Sequence, residues 1–333
     1  MIGSHEIIVQ NRRVQYKFTI NRNITILQGD SATGKTTLIE MIEAYQTNGV
    51  NSGVTIKCDV KCVALPISNW QLILEATHNS IVFIDEGDAF IASIAFATAV
   101  KNSDNYFVIA TRRALSALPY SVTEIYGIKN KAGNRYQGTK RIYSGFYPLH
   151  PQNDTNPKRP DVVVVEDSNS GYAFFKNVCA EFKIPCISAK GKSNIYKTVV
   201  ALPPDQNILI IADGAAFGSE INRLTALMKQ RQNITICLPE SFEWLILESG
   251  IIVSTHIREI LAHPSDYIES SEYFSWERFF THLLIMETQD SYLRYNKQHL
   301  NDVYLHDGNK EKILSGIIQS DKACHILKAH NKK

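Results

Sequence analysis

The distribution of hydrophobic and polar positions divides the first half of the chain into short elements of two kinds. Brief apolar runs, typical of buried strands, alternate with stretches in which apolar residues recur at helical spacing. The predicted strands are Val14–Ile20, Asn23–Leu27, Ile81–Ile84 and Tyr106–Ala110, and the predicted helices are Thr36–Tyr45 and Phe90–Val100. A late hairpin is predicted from Val122–Ile128 and Arg135–Tyr143, with its turn at residues 132–134. This order predicts an α/β domain with a mainly parallel sheet covered by helices on both faces.

The second half repeats the alternation. The predicted strands are Asp161–Asp167, Ile184–Ser188, Ile208–Asp213 and Ile234–Leu238, and the predicted helices are Tyr172–Phe182 and Glu220–Arg231. A second parallel α/β sheet is therefore expected. Residues 251–333 read as mostly helical and carry no motif that indicates chemistry. Their apolar stripe at Trp276, Phe279, Phe280, Leu283 and Leu284 is expected to pack on the preceding sheet.

A proline-rich stretch separates the two halves. Pro148, Pro151, Pro157 and Pro160 are four of the 11 prolines of the chain. Because proline lacks a backbone donor and fixes its own backbone, such a stretch is typical of a linker. The predicted organisation is a first domain at 1–147, a linker at 148–160, a second domain at 161–250 and a helical segment at 251–333.

Composition excludes several classes of protein. With 44% hydrophobic and 20% charged residues and a net charge of +2, the chain is neither disordered nor a strongly basic nucleic-acid coat protein. Six cysteines in 333 residues do not form a disulfide scaffold. The longest nearly apolar run, Ala89–Val100, is too short to span a bilayer, and the first residues lack the apolar core of a signal peptide. We therefore expect a cytoplasmic protein without membrane contact.

A glycine-rich loop stands between the strand at Asn23–Leu27 and the helix at Thr36–Tyr45. It fits the pattern G-x-x-x-x-G-K-[ST] at every fixed position. Backbone N–H groups of such a loop, together with the positive end of the following helix, bind phosphate oxygens. We expect Lys35 to reach the β- and γ-phosphates and Thr36 to offer its hydroxyl to Mg²⁺. The predicted nucleotide-binding residues are Gly29, Asp30, Ser31, Ala32, Thr33, Gly34, Lys35, Thr36 and Thr37.

Two carboxylates follow the strand at Ile81–Ile84. Asp85 is placed to hold Mg²⁺, and Glu86 is placed to orient or deprotonate the attacking water. The alternative is a surface acidic pair that caps the next helix. After the strand at Tyr106–Ala110, Arg112 or Arg113 is a candidate for stabilising transition-state charge, and the alternative is that both are ordinary solvated arginines.

The sequences VFIDE and VIATRRALSALPYSVTEIYGI resemble the end of the ATP-binding-cassette and SMC-like ATPases. Members linked to the overcoming-lysogenization-defect nucleases are the most similar. The resemblance covers residues 1–145 and implies ATP rather than GTP as the nucleotide. Arg112 stands where that family has a histidine that contacts the γ-phosphate, and the family's helical lobe with its Ser-Gly-Gly signature is missing between Thr36 and Ile81.

Carboxylates also end two predicted strands of the second half. Glu166 and Asp213 reach the same edge of the sheet if their strands are neighbours, and such hard oxygen ligands suit Mg²⁺ or Mn²⁺. The alternative is a doubly wound domain with acidic strand ends and no metal.

The order of these elements resembles a Toprim domain over residues 161–248. Glu166 matches the glutamate after the first strand, Gly191–Ile195 resembles the Gly-Lys segment, and Asp213–Glu220 resembles D-x-D-x-x-G-x-E with Ala215 at the second aspartate. The resemblance implies that Glu166 is a metal ligand or general base and that Asp213 is the main metal ligand. It also implies that Lys192 pairs with a phosphate and that Glu243, or alternatively Glu240, completes the site.

Together these features predict a protein that binds and hydrolyses ATP. Its nucleotide state is expected to control a Toprim-like unit that binds DNA or RNA and cuts it as a nuclease. The alternative is a non-enzymatic, ATP-gated module with a degenerate Toprim fold that recruits a partner protein or a DNA end. A small-molecule kinase is a third interpretation, for which the sequence offers no acceptor pocket or lid. Compact proteins of this layout resemble bacterial proteins of mobile elements and phage defence. The layout is also compatible with an oligomer.

Overall fold

The computed structural model describes residues 1–29, 33–87, 89–130, 142–150 and 158–320. The chain divides into two compact units, Met1–Pro151 with His263–Ser275, and Gln152–Ala262 with Trp276–Lys333. The break after Pro151 lies inside the stretch for which the sequence predicts a linker. The assignment of residues 263–275 to the first unit was not predicted. None of the described helices has the length and apolarity needed to cross a membrane.

In the described residues of the first unit, nine strands form one sheet in the order β4-β1-β2-β9-β8-β3-β7-β6-β5. The strands are β1 (His5–Gln10), β2 (Val14–Ile20), β3 (Ile24–Leu27), β4 (Thr55–Lys57), β5 (Lys61–Ala64), β6 (Ser80–Ile84), β7 (Tyr106–Ala110), β8 (Ile125–Asn130) and β9 (Ile142–Pro148). The helices are α1 (Lys35–Asn48), α2 (Trp70–Glu75) and α3 (Ile94–Lys101), with 3₁₀ turns at Gly49–Ser52, Ala89–Ala92 and Val122–Glu124.

The sheet is mixed. The block β8-β3-β7-β6-β5 is parallel throughout, as the alternation of strands and helices predicts. At the other side β1 pairs antiparallel with β2 and β4, and β8 pairs antiparallel with β9. The predicted hairpin strands correspond to the antiparallel β8–β9 pair, and the described part of β9 extends to Pro148 inside the predicted linker. The predicted start of the second strand at Arg135 lies outside the described residues. The predicted turn at 132–134 lies outside the described residues.

The parallel block is the centre of the first unit's core. Every residue of β3, β6 and β7 is buried, which explains why these strands are apolar at consecutive rather than alternate positions. Leu38, Ile39 and Ile42 of α1 belong to the same buried cluster as Phe83 and Val108. The apolar face of α1 thus fixes this helix against the sheet.

In the described residues of the second unit, four strands form a parallel sheet in the order β11-β10-β12-β13. The strands are β10 (Val162–Val165), β11 (Cys186–Ser188), β12 (Ile208–Ile211) and β13 (Ile234–Cys237). The helices are α4 (Ser170–Glu181), α5 (Lys192–Ala201), α6 (Gly218–Gln230), α7 (Phe242–Glu248), α8 (Thr255–Ala262), α9 (Trp276–Thr288) and α10 (Asp307–Ser320).

The second sheet confirms the predicted parallel α/β arrangement and makes β10 and β12 neighbours. The apolar stripe of α9 was expected on the sheet. Phe279, Phe280 and Leu284 are buried as predicted, but α9 packs chiefly on α7. The C-terminal helices therefore extend the second unit beyond residue 250 and place their polar residues near the sheet's edge.

Candidate functional site

The carboxyl ends of β3, β7 and β6 meet at one edge of the first sheet, because the three strands are parallel and adjacent in that order. The loop to α1 follows β3, Arg112 follows β7, and Asp85 and Glu86 follow β6. Ligands of open parallel sheets bind at this kind of edge. The fold thus brings the separately predicted loop, acids and arginine together.

Two glycines of the loop adopt conformations that other residues rarely accept. Gly29 has φ of +134° and Gly34 has φ of +97°. A Cβ at Gly34 would also lie 2.7 Å from the Tyr16 hydroxyl oxygen, which donates a hydrogen bond of 3.0 Å to the Gly34 carbonyl. Glycine is therefore required at both positions. The predicted residues Asp30, Ser31 and Ala32 lie outside the described part of the chain.

Lys35 is the first residue of α1 and is only 5% exposed. Its ammonium group donates to the Gly29 carbonyl at 2.7 Å and lies 3.3 Å from the Thr33 hydroxyl. The side chain therefore folds back onto its own loop. This places a positive charge beside the amino end of α1, where a phosphate oxygen would bind.

Thr36 and Asp85 lie next to each other although 49 positions separate them in the chain. The Thr36 hydroxyl donates to Asp85 Oδ1 at 3.3 Å, and the same oxygen accepts the Glu86 backbone N–H at 2.7 Å. A hydroxyl and a carboxylate this close fit Mg²⁺, which prefers a small number of hard oxygen ligands and completes its shell with water and phosphate. Thr37 is exposed on the same turn of α1.

Glu86 is held between two cations. Arg112 Nε lies 2.6 Å from Glu86 Oε1, and Lys35 Nζ lies 3.8 Å from Oε2. The alternative that this acidic pair caps the next α-helix does not hold for α3, whose N-cap is Ser93. The Arg112 side chain is 54% exposed, so it is accessible to solvent while it forms the ion pair. In this state the carboxylate that is predicted to orient water is paired with an arginine.

The second unit gathers its charged residues around a cavity of about 190 Å³. Residues that line it include the predicted acids Glu166, Asp213 and Glu243, together with Glu277, Lys190 and Lys297. Glu166 and Asp213 follow neighbouring strands, and the Asp213 backbone N–H donates to Glu166 Oε2 at 3.0 Å. Glu240, the alternative to Glu243, is not among the described residues that line the cavity.

The Glu166 and Asp213 side chains are acids that resist ionisation. Burial raises the pKa of Glu166 to about 7, although the hydrogen bond from the Asp213 backbone lowers it. Burial, followed by repulsion from Glu277, Glu166 and Glu243, raises the pKa of Asp213 well above its usual value. Among the described residues the Asp213 carboxylate has no hydrogen-bond or ion-pair partner. A cation bound there would favour the ionised form of both acids and so lower both pKa values.

Glu243 has partners already. It is 2% exposed, and its Oε1 accepts a hydrogen bond of 2.8 Å from the Tyr295 hydroxyl and lies 3.6 Å from Lys297 Nζ. Burial and the neighbouring Glu243 raise the pKa of Tyr295, so this phenol keeps its proton and remains a donor. Lys297 Nζ also lies 2.7 Å from Glu277 Oε1.

Sequence reasoning missed Glu277, Tyr295 and Lys297. They come from α9 and the segment after it, a region without a recognisable motif. The segment is positioned by backbone contacts with α4, since Ser170 N–H donates to the Lys297 carbonyl at 3.1 Å and the Ser170 hydroxyl to the Asn296 carbonyl at 2.7 Å. No local pattern could have found these residues, because their roles depend on contacts between separate elements, such as the Tyr295–Glu243 hydrogen bond across 52 positions.

Two polar residues near the cavity have structural roles. Asp167 accepts the backbone N–H groups of Ser168, Asn169 and Gly171 and so stabilises the start of α4. Lys192, which the Toprim resemblance pairs with a phosphate, donates to the Ala216 carbonyl at 2.8 Å. Its ammonium group thus supports the loop after β12.

The acids of the cavity offer few ligands to a divalent cation. In the described part of the chain, no three His, Cys, Asp or Glu side chains are arranged to hold one metal ion together. Mg²⁺ commonly uses only one or two protein carboxylates and completes its shell with water and substrate oxygens. Glu166 and Asp213 fit that mode, whereas a role for Glu243 as a third ligand stays a prediction.

Comparison with known proteins identifies no family. No protein-family model matches the chain. No curated protein matches it either.

We expect Glu166→Gln to stabilise the metal-free protein at pH 8 and to leave its stability at pH 4.5 nearly unchanged. With its pKa at about 7, Glu166 keeps its proton in the folded unit at pH values where the unfolded chain has lost it. The proton on Glu166 stabilises the folded unit fully below pH 4.5, the ordinary pKa of this carboxyl in the unfolded chain. This stabilisation is lost as the pH rises through 7. The shift in the pKa of Glu166 corresponds to a change in the free energy of unfolding on the order of 3 kcal/mol.

Thermal unfolding of wild type and variant at both pH values measures this effect. Glu259→Gln, which removes an exposed carboxylate from α8, is the matched control. Equal changes in melting temperature for the two variants would contradict the unusual ionisation of Glu166.

Proposed function

We propose that this protein binds and hydrolyses ATP in its first unit, and that the nucleotide state controls a Toprim-like, divalent-cation-dependent nuclease site in its second unit. The proposal for the first unit rests on one observation. The Lys35 ammonium group, the Thr36–Asp85 pair and the Glu86 carboxylate lie together at the edge to which the glycine loop leads.

The residues of the first unit divide the chemistry among them. Lys35 and the backbone N–H groups at the start of α1 would bind the β- and γ-phosphates, and Thr36 and Asp85 would hold Mg²⁺. Magnesium, when bound, neutralises charge that develops on the phosphates. Glu86 would accept a proton as the water oxygen bonds to the γ-phosphorus and the bond from that phosphorus to the bridging oxygen breaks.

Glu86 must leave its ion pair with Arg112 before it can orient water. The γ-phosphate offers Arg112 a competing anion at the same sheet edge, and arginine binds phosphate as well as carboxylate. ATP binding would therefore exchange one partner of Arg112 for another and free the carboxylate. In this proposal Arg112 has two roles. It restrains Glu86 before ATP binds, and it stabilises charge on the phosphate once ATP is bound.

Glu86→Gln is expected to keep ATP bound and to slow its hydrolysis by about 100-fold or more, the usual contribution of a positioned base. An amide preserves the shape of the side chain but does not take the proton. Isothermal calorimetry measures binding, and phosphate release without an added acceptor measures turnover. Glu75→Gln on the exposed face of α2 is the matched control. Turnover equal to wild type would remove Glu86 from the reaction.

In the second unit, Glu166 and Asp213 would hold one Mg²⁺ or Mn²⁺ at the cavity. The observation that supports this is the Asp213 carboxylate, which has no partner among the described residues and lies beside Glu166 at the ends of adjacent strands. Divalent cations at such edges promote attack of water on a phosphodiester and stabilise the leaving oxygen. DNA and RNA share that bond, and cleavage of supercoiled plasmid and of single-stranded RNA with Mg²⁺ or Mn²⁺ tests both.

A second candidate function is an ATP-gated module that recruits a partner without cutting. Two observations favour it. Ala215 places a buried methyl group where the Toprim pattern has its second aspartate, and Glu243 is engaged by Tyr295 and Lys297. Absence of metal-dependent cleavage in every nucleotide state, with ATP binding intact, would select this alternative.

A further inference from the structure

Lys297 occupies a position inside the acidic cavity of the second unit that neither motif predicts. We propose that its ammonium group is a built-in cation that takes the place of a second metal ion, so that the cavity binds one divalent cation and not two. This inference rests on the proposed divalent cation at Glu166 and Asp213 and specifies how many such ions the site takes.

The contacts of Lys297 place its charge between two carboxylates. Its Nζ lies 2.7 Å from Glu277 Oε1, 3.6 Å from Glu243 Oε1 and 3.5 Å from the Thr281 hydroxyl. A divalent cation bound at these two glutamates would need the same location. The ammonium group and a second metal ion are therefore mutually exclusive.

The lysine is held in place by the fold. Its carbonyl accepts the Ser170 N–H, and the preceding carbonyl of Asn296 accepts the Ser170 hydroxyl. Two residues earlier, Tyr295 is tied to Glu243 by its hydroxyl and to Thr288 by its backbone N–H. These contacts fix the backbone on both sides of the position from which the Lys297 side chain enters the cavity, so forming the ion pair requires ordering of the side chain alone.

The charges of the cavity divide into two pairs. Glu243 and Glu277 share the Lys297 ammonium group, and Glu243 also receives the Tyr295 hydrogen bond. Glu166 and Asp213 have no cation within ion-pair distance among the described residues. One divalent cation balances the two charges of this second pair, whereas a second divalent cation would displace Lys297 or add charge beside it.

The ligand count leads to the same conclusion. The segment after β12 offers no second aspartate, because Ala215 stands at that position of the Toprim pattern and is only 2% exposed. The only other carboxylates on the described cavity wall that could serve a second ion are the Lys297-bound pair and Asp167, whose oxygens accept three backbone N–H groups. The cavity therefore has protein ligands for one metal ion.

The side chain of Lys297 is 37% exposed, so a phosphate entering the cavity can contact it. A fixed ammonium group there would offer N–H donors to the phosphate oxygen opposite the bound cation. In this arrangement the lysine supplies the charge that a second metal ion supplies in two-metal sites.

Titration of the full-length chain with Mn²⁺ in the absence of nucleotide tests the proposal. Calorimetry and electron paramagnetic resonance count the ions bound, and only ions lost in Asp213→Asn are assigned to the cavity. We expect one such ion for wild type and for Lys297→Arg. Two ions in wild type would overturn the one-ion proposal but leave the proposed metal site of the nuclease in place. No ion in wild type would overturn both the one-ion proposal and the proposed metal site.

Lys297→Met frees Glu243 and Glu277 and is expected to bind a second Mn²⁺ in the cavity. Lys229→Met removes an exposed lysine from α6 and is the control for loss of one positive charge, with one ion expected. Circular dichroism checks that each variant is folded. A folded Lys297→Met protein that binds one ion with unchanged affinity would contradict the proposal that Lys297 replaces a second metal ion. If this variant does not fold, the number of ions bound by wild type decides between one ion and two.

Discussion

Lys35→Ala is expected to weaken ATP binding by about 100-fold or more. The ammonium group lies against the glycine loop at the amino end of α1, where backbone N–H groups and the helix dipole already favour an anion. A hydrogen bond between charged groups is worth about 1.5–3 kcal/mol, and Lys35 is positioned to contact two phosphates. Loss of about 3 kcal/mol corresponds to about 100-fold in affinity.

The measurement is calorimetric titration of the folded variant with ATP and Mg²⁺. Lys35 is buried and donates to the Gly29 carbonyl, so circular dichroism must show that the variant keeps its fold. Lys101→Ala removes an exposed lysine from the last turn of α3 and is expected to bind ATP as wild type does. An affinity of Lys35→Ala for ATP equal to that of wild type would contradict the role of Lys35 in binding the phosphates.

Asp213→Asn is expected to abolish Mn²⁺ binding in the second unit and to reduce metal-dependent cleavage by about 100-fold or more. The amide occupies nearly the same volume and leaves the backbone hydrogen bond to Glu166 intact. Among the acids on the described cavity wall, Asp213 is the one without a hydrogen-bond or ion-pair partner, and burial disfavours its ionised form. A neutral side chain there cannot compensate the charge of a divalent cation.

At pH 8 the same substitution should stabilise the metal-free protein, because burial and the neighbouring glutamates disfavour in the folded unit the ionised form that Asp213 adopts in the unfolded chain. Lost cleavage combined with a higher melting temperature distinguishes a metal-ligand role from simple misfolding. Asp205→Asn, in an exposed turn before β12, is the matched control for both measurements. Cleavage unaffected by Asp213→Asn would remove this residue from the proposed nuclease site.

The elements that the sequence predicts well are those whose signal is local. β2 and β7 have the predicted bounds, and β3, β6, β10 and β12 differ from the predicted bounds by only a few residues. Apart from β2, whose buried and exposed positions alternate, these strands are buried at every position and are therefore apolar throughout. β1, β4, β5 and α2 were not predicted. β1 and β4 alternate buried and exposed positions or are short, and α2 is half-exposed, so each depends on its neighbours for its place.

The first candidate site follows from the sequence more completely than the second. The glycine loop is a contiguous motif, and the positive φ of Gly29 and Gly34 shows why glycine stands at both of its fixed positions. The acids after β6 were identified by their position after an apolar strand. The Arg112–Glu86 ion pair could not be predicted, since it depends on β7 being inserted between β3 and β6.

The amino-acid sequence alone determined the two α/β units, the glycine loop and the acidic strand ends, because each of these is encoded in a few adjacent residues. Only the tertiary structure decided that residues 263–275 belong to the first unit and that Lys297 and Tyr295 engage Glu243. The physical reason is that an ion pair or a hydrogen bond depends on distance in space. Chain segments that are remote in sequence become neighbours only when the hydrophobic faces of their helices and strands have packed.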